Sequence, residues 1–120
     1  MNAVRFQGNL LFVGNSSLPV PYAVRDAFLL EGMIIVLLDP DAFLSDPSYG
    51  KNRRRGDSPL RNLLALSTDG KLLWEAEFPE RADYYYSVSS RSPLTVLSFS
   101  SFRCEIDPQT GRILKKECFK

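Results

Sequence analysis

Short apolar runs separated by turn residues dominate this chain, and their period is that of strands rather than helices. The clearest stretch is Leu63-Leu64-Ala65-Leu66-Ser67-Thr68-Asp69-Gly70-Lys71-Leu72-Leu73-Trp74-Glu75, two apolar arms around an Asp-Gly turn. That arrangement predicts a β-hairpin. Directly opposed residues share a face of a sheet. A three-residue loop of Thr68, Asp69 and Gly70, with Gly70 left-handed in a bulge, therefore sets Leu66 opposite Leu72 and Leu64 opposite Trp74. Leu64, Leu66, Leu72, Trp74, Ala76 and Phe78 are then expected on one face.

The same reading extends along the chain. Val4 to Val13 holds a turn at Gln7-Gly8-Asn9 and a strand Leu10–Val13, after which Asn15–Pro21 reads as a loop. Tyr22–Leu30 suits a strand or a helical turn by period, and the internal repeat of the chain favours a strand. Met33–Leu38 is an uninterrupted apolar run, the pattern of a strand covered on both faces. Asp39 to Arg61 is rich in proline and reads as irregular. Tyr84–Ser89, Leu94–Phe99, Phe102–Ile106 and Arg112–Phe119 complete the expected strands. By alternation Tyr84, Tyr86 and Val88 face the core, and Tyr85 faces out with Ser87 and Ser89.

A repeat underlies this order. Gly70-Lys71-Leu72-Leu73-Trp74 is echoed by Gly8-Asn9-Leu10-Leu11-Phe12 and by Gly111-Arg112-Ile113-Leu114-Lys115. Gly111 follows Gly70 by 41 residues, and a period near 40 with four strands per unit is that of a propeller blade. On Leu64 to Trp74 and Glu105 to Leu114 the chain resembles blades of the quinoprotein-type (PQQ-like) β-propeller family. The resemblance spans roughly residues 22 to 119 and implies strand order. It implies no activity, because nothing in the chain matches a quinone or metal site. Two blades cannot close a ring.

The expected architecture is therefore all-β. It is an antiparallel meander of about eight or nine strands, open or sandwich- or barrel-like rather than a closed propeller. One domain covers residues 1–120: an N-terminal strand within 1–14, a blade-like unit over 22–78 with an insertion at 39–61, and a second unit over 83–119.

Composition narrows the functional classes. The chain has 120 residues, 44% hydrophobic, with a net charge of +1, so no overall field draws it to nucleic acid or an anionic surface. It has no histidine, the commonest general base and metal ligand. No cofactor, metal site or catalytic residue is expected, and the chain reads as a non-enzyme. No signal peptide or membrane-spanning run is visible, which points to a cytoplasmic protein. Cys104 and Cys118 lie on the last hairpin at an offset too long for a disulfide, so free thiols are expected, with Cys104 a small buried residue. Asp39-Pro40-Asp41 reads as a strand-ending turn.

Two features carry binding chemistry. Lys51-Asn52-Arg53-Arg54-Arg55, with Tyr49 beside it, is a basic run that the blade pattern does not require. Tyr85, near Arg81 and Asp83, combines residue types favoured at interface hot spots. Tyr49, Lys51, Arg53, Arg54, Arg55 and Tyr85 are the expected partner-binding residues. The reading that follows is a non-catalytic protein-binding domain. In its narrowest form it is a bacterial immunity-type protein neutralising a partner toxin. The alternative is a nucleic-acid-binding accessory protein using residues 51–55. Open sheet edges also invite homodimerisation.

Overall fold

The computed structural model describes residues 4–47, 61–80 and 83–119. Among these residues, eleven strands form three antiparallel sheets, none closed into a barrel. The first sheet holds β1 (Val4–Gln7), β2 (Leu10–Val13) and β3 (Ser16–Pro19). The middle sheet holds β4 (Val24–Leu30), β5 (Met33–Leu38), β6 (Leu63–Leu66) and β7 (Leu72–Glu75). The third holds β8 (Tyr85–Arg91), β9 (Leu94–Ser98), β10 (Phe102–Ile106) and β11 (Ile113–Cys118). In each sheet, strands that are consecutive in sequence pair with one another. The fold is the open all-β meander that the apolar pattern predicts.

The sheets stack. Leu11, Val13 and Val20 meet Val24, Ile34, Val36, Leu38, Leu64 and Leu66 in one core. Phe28, Ile35, Leu37, Leu63, Ala65, Trp74 and Ala76 meet Tyr85, Leu94, Val96, Cys104 and Ile106 in the other. The middle sheet is thus covered on both faces, which is why Met33–Leu38 has no polar position. Ile34, Val36 and Leu38 serve one core while Ile35 and Leu37 serve the other. Each such side chain, fully buried, contributes roughly 1.5–3 kcal/mol.

The N-terminal strand expected on its own belongs to a complete hairpin pair. Ser16–Pro19, expected as loop, is β3 and pairs with β2 from Leu10↔Pro19 to Val13↔Ser16. Gly14, at φ 60°, makes the tight turn that returns the chain. A polar edge strand carries no apolar alternation, so composition alone reads it as loop.

In the central hairpin the three-residue loop is present. Gly70 has φ 94°, and the Ser67 amide donates to the Lys71 carbonyl at 2.8 Å. Leu66 faces Leu72, but then Ala65 faces Trp74 and Leu64 faces Glu75. Leu73 is the extra residue of a bulge. The expected single face is therefore split: Leu64 and Leu66 enter the first core, Trp74 and Ala76 the second. The same bulge recurs 41 residues on. Glu105 faces Lys115, Ile106 faces Ile113, and Leu114 is skipped. Both skipped leucines point outward, at 49% and 60% exposure.

The repeat also sets how sheets dock. A Cβ on Gly111 would lie 2.6 Å from Trp74 of β7, and one on Gly70 would lie 3.0 Å from Leu18 of β3. In each case the turn entering a sheet's last strand sits on the last strand of the preceding sheet. The Trp74 indole N–H donates to the Pro108 carbonyl at 2.8 Å and fixes that contact. Gly8, by contrast, lies in the β1–β2 turn, so its sequence echo does not share the structural position of Gly70 and Gly111.

Asp39–Arg61 is not irregular throughout. Asp39 caps a short helix α1 (Pro40–Leu44), its carboxylate accepting from the Asp41 amide at 3.0 Å, with proline at the first turn. Cys104 is buried opposite Lys116, Cys118 is exposed, and both are free.

Candidate functional site

One end of the stack gathers the β3–β4 connection, α1, the start of β8 and the β9–β10 turn. Four aromatic rings form a row across it. Tyr22 meets Phe43 edge-on, with centroids 6.0 Å apart, and Phe43 meets Tyr84 edge-on at 5.9 Å. Tyr84 stacks on Phe99 at 5.0 Å and 19°. Edge-to-face and offset stacked contacts of this kind each add about 0.5–1.5 kcal/mol beyond the area they bury. The row is buried at Phe43 and reaches the surface at Phe99. Phe43 is fully buried, Tyr22 and Tyr84 are half-buried, and Phe99 is 65% exposed. Leu44 of α1 adds a further exposed apolar side chain at 39%.

Three of the rings are held in place by hydrogen bonds. Tyr22 sits between two backbone bonds, Val20 N–H to the Asn9 carbonyl at 2.9 Å and Val24 N–H to the Gly8 carbonyl at 2.8 Å. Its hydroxyl donates to the Asp46 carboxylate. Tyr84 and Phe99 are positioned by Asp83, whose side chain is buried. Its Oδ1 accepts from the Tyr84 amide at 2.8 Å and the Ser100 amide at 3.1 Å, and its Oδ2 accepts from the Ser100 hydroxyl. The Phe99 amide in turn donates to the Tyr84 carbonyl at 2.9 Å. A buried carboxylate satisfied by amides and a hydroxyl is a rigid clamp, since breaking it would leave a charge without partners.

Asn62, also fully buried, ties the middle and third sheets together. Its amide nitrogen donates to the Leu38 carbonyl at 3.0 Å and the Tyr85 carbonyl at 2.6 Å, while its oxygen accepts from the Tyr85 amide at 3.0 Å. On the rim, Arg25 donates to the Tyr86 carbonyl at 3.0 Å and lies 3.9 Å from Asp39.

The expected site residues divide. Tyr49, Lys51, Arg53, Arg54 and Arg55 lie outside the described residues. Tyr85 is corrected from an outward anchor to a core residue with no exposed surface. The reason is a pair of bulges in β8: Tyr85 faces Ser98, Ser87 faces Leu97, and Tyr86 is skipped. The Tyr85 hydroxyl donates to the Glu77 carbonyl at 2.6 Å. Burial, with the neighbouring Cys104 second, pushes its pKa far up. Burial likewise raises the Cys104 thiol, against the lowering effect of its hydrogen bond with Tyr85.

Sequence reasoning missed Tyr22, Leu44 and Phe99 as surface residues. The available signal was Phe99 itself, a large apolar residue followed by Ser100-Ser101 in a turn. Chemically the row offers ring faces for burial. Covering Phe99 alone removes roughly 130 Å² of apolar surface, about 3 kcal/mol. Among the described residues no three His, Cys, Asp or Glu side chains come together as a metal site. Among them, too, no helix is long and apolar enough to cross a membrane.

A family model described as a domain of unknown function (DUF7957) matches residues 1–118. No curated protein and no solved structure matches the chain.

Proposed function

The chain belongs to the DUF7957 family, a domain of unknown function, and on that premise we propose that it is a non-catalytic protein-binding domain. The observation that carries this reading is the aromatic row ending on Phe99. A ring left 65% exposed on a clamped turn is a rigid apolar anchor of the kind that dominates protein interfaces. Tyr84, half-buried and stacked on it, enlarges the patch. The narrower form of the proposal is a cytoplasmic, bacterial immunity-type protein that neutralises a partner toxin. A small all-β domain without histidine suits that role. The blade-like reading of the middle and third sheets belongs to the same proposal. It is supported by the repeated bulge and by Trp74 seated on Gly111.

The test is affinity capture with the tagged protein, followed by titration of the purified partner against wild type and Phe99→Glu. A dedicated binder gives one stoichiometric protein retained through high salt, and loses at least about 100-fold in affinity with Phe99→Glu, roughly the 3 kcal/mol above. Failure to retain any protein ends the reading. The alternative, nucleic-acid binding through Lys51, Arg53, Arg54 and Arg55, predicts a ligand released by salt and indifferent to Phe99.

A further inference from the structure

We propose that the open edge of β1 takes a fourth strand from a partner polypeptide, an extended segment that sets a carboxylate on Arg5 between apolar side chains. This surface is separate from the aromatic row and does not depend on it.

Internal repetition shows what is missing. The middle and third sheets have four strands each, and the first has three. The Gly70–Leu18 and Gly111–Trp74 contacts make β3 the counterpart of β7, the last strand of its sheet. Counting back, β2 corresponds to β6 and β1 to β5. The strand that pairs with β5 is β4, and its counterpart in the third sheet is β8. No described strand is hydrogen-bonded to β1 on that side; β4 packs near it, and the Val24 N–H donates to the Gly8 carbonyl just past its end at 2.8 Å. The edge is chemically prepared for pairing. Gly8-Asn9 is a two-residue turn between the paired Gln7 and Leu10, so Arg5 and Gln7 direct their backbone groups to β2. Val4 and Phe6 by alternation direct theirs outward.

Open space lies there as well. A groove of about 350 Å³ is lined by Arg5, Phe6, Gln7 and Phe12. Arg5 and Gln7 lie on the sheet face turned away from the first core, and Phe6 lies on the other, opposite Leu11. Arg5, Gln7 and Phe12 share the outer face across β1 and β2, so the groove lies over that face and meets the β1 edge at Phe6. Phe6 is 39% exposed in it, although its row partner Leu11 is fully buried. Arg5 has no ion-pair partner among the described residues, and no acid lines the groove. The complement is therefore an apolar residue beside Phe6 and an Asp or Glu over Arg5, on a segment adding main-chain hydrogen bonds to Val4 and Phe6. A second copy of this chain is a poorer fit. Four of its six sheet edges, β4, β7, β8 and β11, carry bulges at Arg25, Leu73, Tyr86 and Leu114, which disrupt pairing.

The probe is the strand that completes the middle sheet, a capped peptide of residues 24–30 (Val-Arg-Asp-Ala-Phe-Leu-Leu), titrated into the ¹⁵N-labelled full chain. The expected result is saturable shifts confined to Val4–Gln7 and Phe12, on the order of 100 μM in Kd, with slowed exchange of the Val4 and Phe6 amides. An analogue with lysine in place of Asp26 binds about tenfold more weakly, and Arg5→Glu reverses that preference. An analogue with proline in place of Ala27 does not bind. Phe99→Glu leaves the titration unchanged, so failure here is distinct from failure of the aromatic surface. No saturable binding, or shifts on the aromatic row instead, overturns the proposal. So does a dimer that protects the Phe6 amide without peptide.

Discussion

Gly111 shows what single residues settle in this protein. At φ 78° its backbone is in the left-handed region, and an added Cβ would press to 2.6 Å on the Trp74 ring and 2.8 Å on its next carbon. Gly8 shares the positive φ, at 57°, but has no atom near the Cβ position. Gly8→Ala is therefore expected to cost about 1 kcal/mol of backbone strain, and Gly111→Ala about 3 kcal/mol, because the indole must also leave its bond to Pro108. Equal losses in urea melts would refute the docking role assigned to Trp74. Tyr85 makes the second case, through pH. Its phenol stays neutral in the fold well above the 10.0 of a free tyrosine, so above that pH the unfolded chain sheds a proton that the folded chain keeps. Stability from Tyr85 is thus present below pH 10.0 and falls as pH rises beyond it. The stability gap between wild type and Tyr85→Phe is expected to hold steady from pH 7 to 9 and to narrow above 10. A gap that does not narrow would mean that the phenol ionises in the fold as readily as in the unfolded chain. Tyr85 was misplaced by alternation because a bulge at Tyr86 changes parity without changing composition.

The elements show where alternation ends as a guide. Turns with Gly8, Asp69-Gly70 and Thr110-Gly111 were legible, because a left-handed residue in a short loop leaves a sequence mark. The doubly covered β5 was legible because a strand without polar positions has no other place to lie. Bulges at Leu73, Tyr86 and Leu114 were not, since an extra residue among leucines or tyrosines looks like one more strand residue. β3 was missed for the opposite reason: Ser16 and Ser17 face solvent on an edge, where hydrogen bonding to β2 and not burial makes the strand. Of the candidate site, only its neighbourhood was legible. Asp39-Pro40-Asp41 marks α1, but the row from Tyr22 to Phe99 draws on four connections that are distant in sequence. Asn62 links two elements in the same hidden way. Asn62→Ala removes three hydrogen bonds and leaves the Tyr85 amide and two carbonyls buried without partners. A loss of about 3–4 kcal/mol is expected in equilibrium unfolding, against less than about 1 kcal/mol for an exposed asparagine. A small loss would mean that water replaces the amide.

At the scale of the whole molecule, the stack has two different ends. The outer face of the third sheet carries Arg103 opposite Glu117 and Glu105 opposite Lys115, with Lys115 and Glu117 3.0 Å apart. Lys115 is raised in pKa by its hydrogen bond with Glu117, and Glu117 is lowered by the same bond. Charges that neutralise one another across adjacent strands make a solvent face, the way a stacked array ends. The first sheet presents Leu10 and Phe12 of β2 with Arg5 of β1 opposite Phe12, and has no such charge pairing among the described residues. Folding should therefore depend on the third sheet as a lid for the middle one. A fragment of residues 1–80 would bare Phe28, Ile35, Leu37, Leu63, Ala65, Trp74 and Ala76. Even at the lower end of about 1.5 kcal/mol per large side chain, that forfeits on the order of 10 kcal/mol, comparable to the whole stability of a domain this size. The fragment is expected to show no cooperative thermal transition and to bind a hydrophobic dye, while the full chain melts in one step. A cooperative melt of the fragment would mean that the first two sheets fold alone, and that the third is an appended module rather than part of one core.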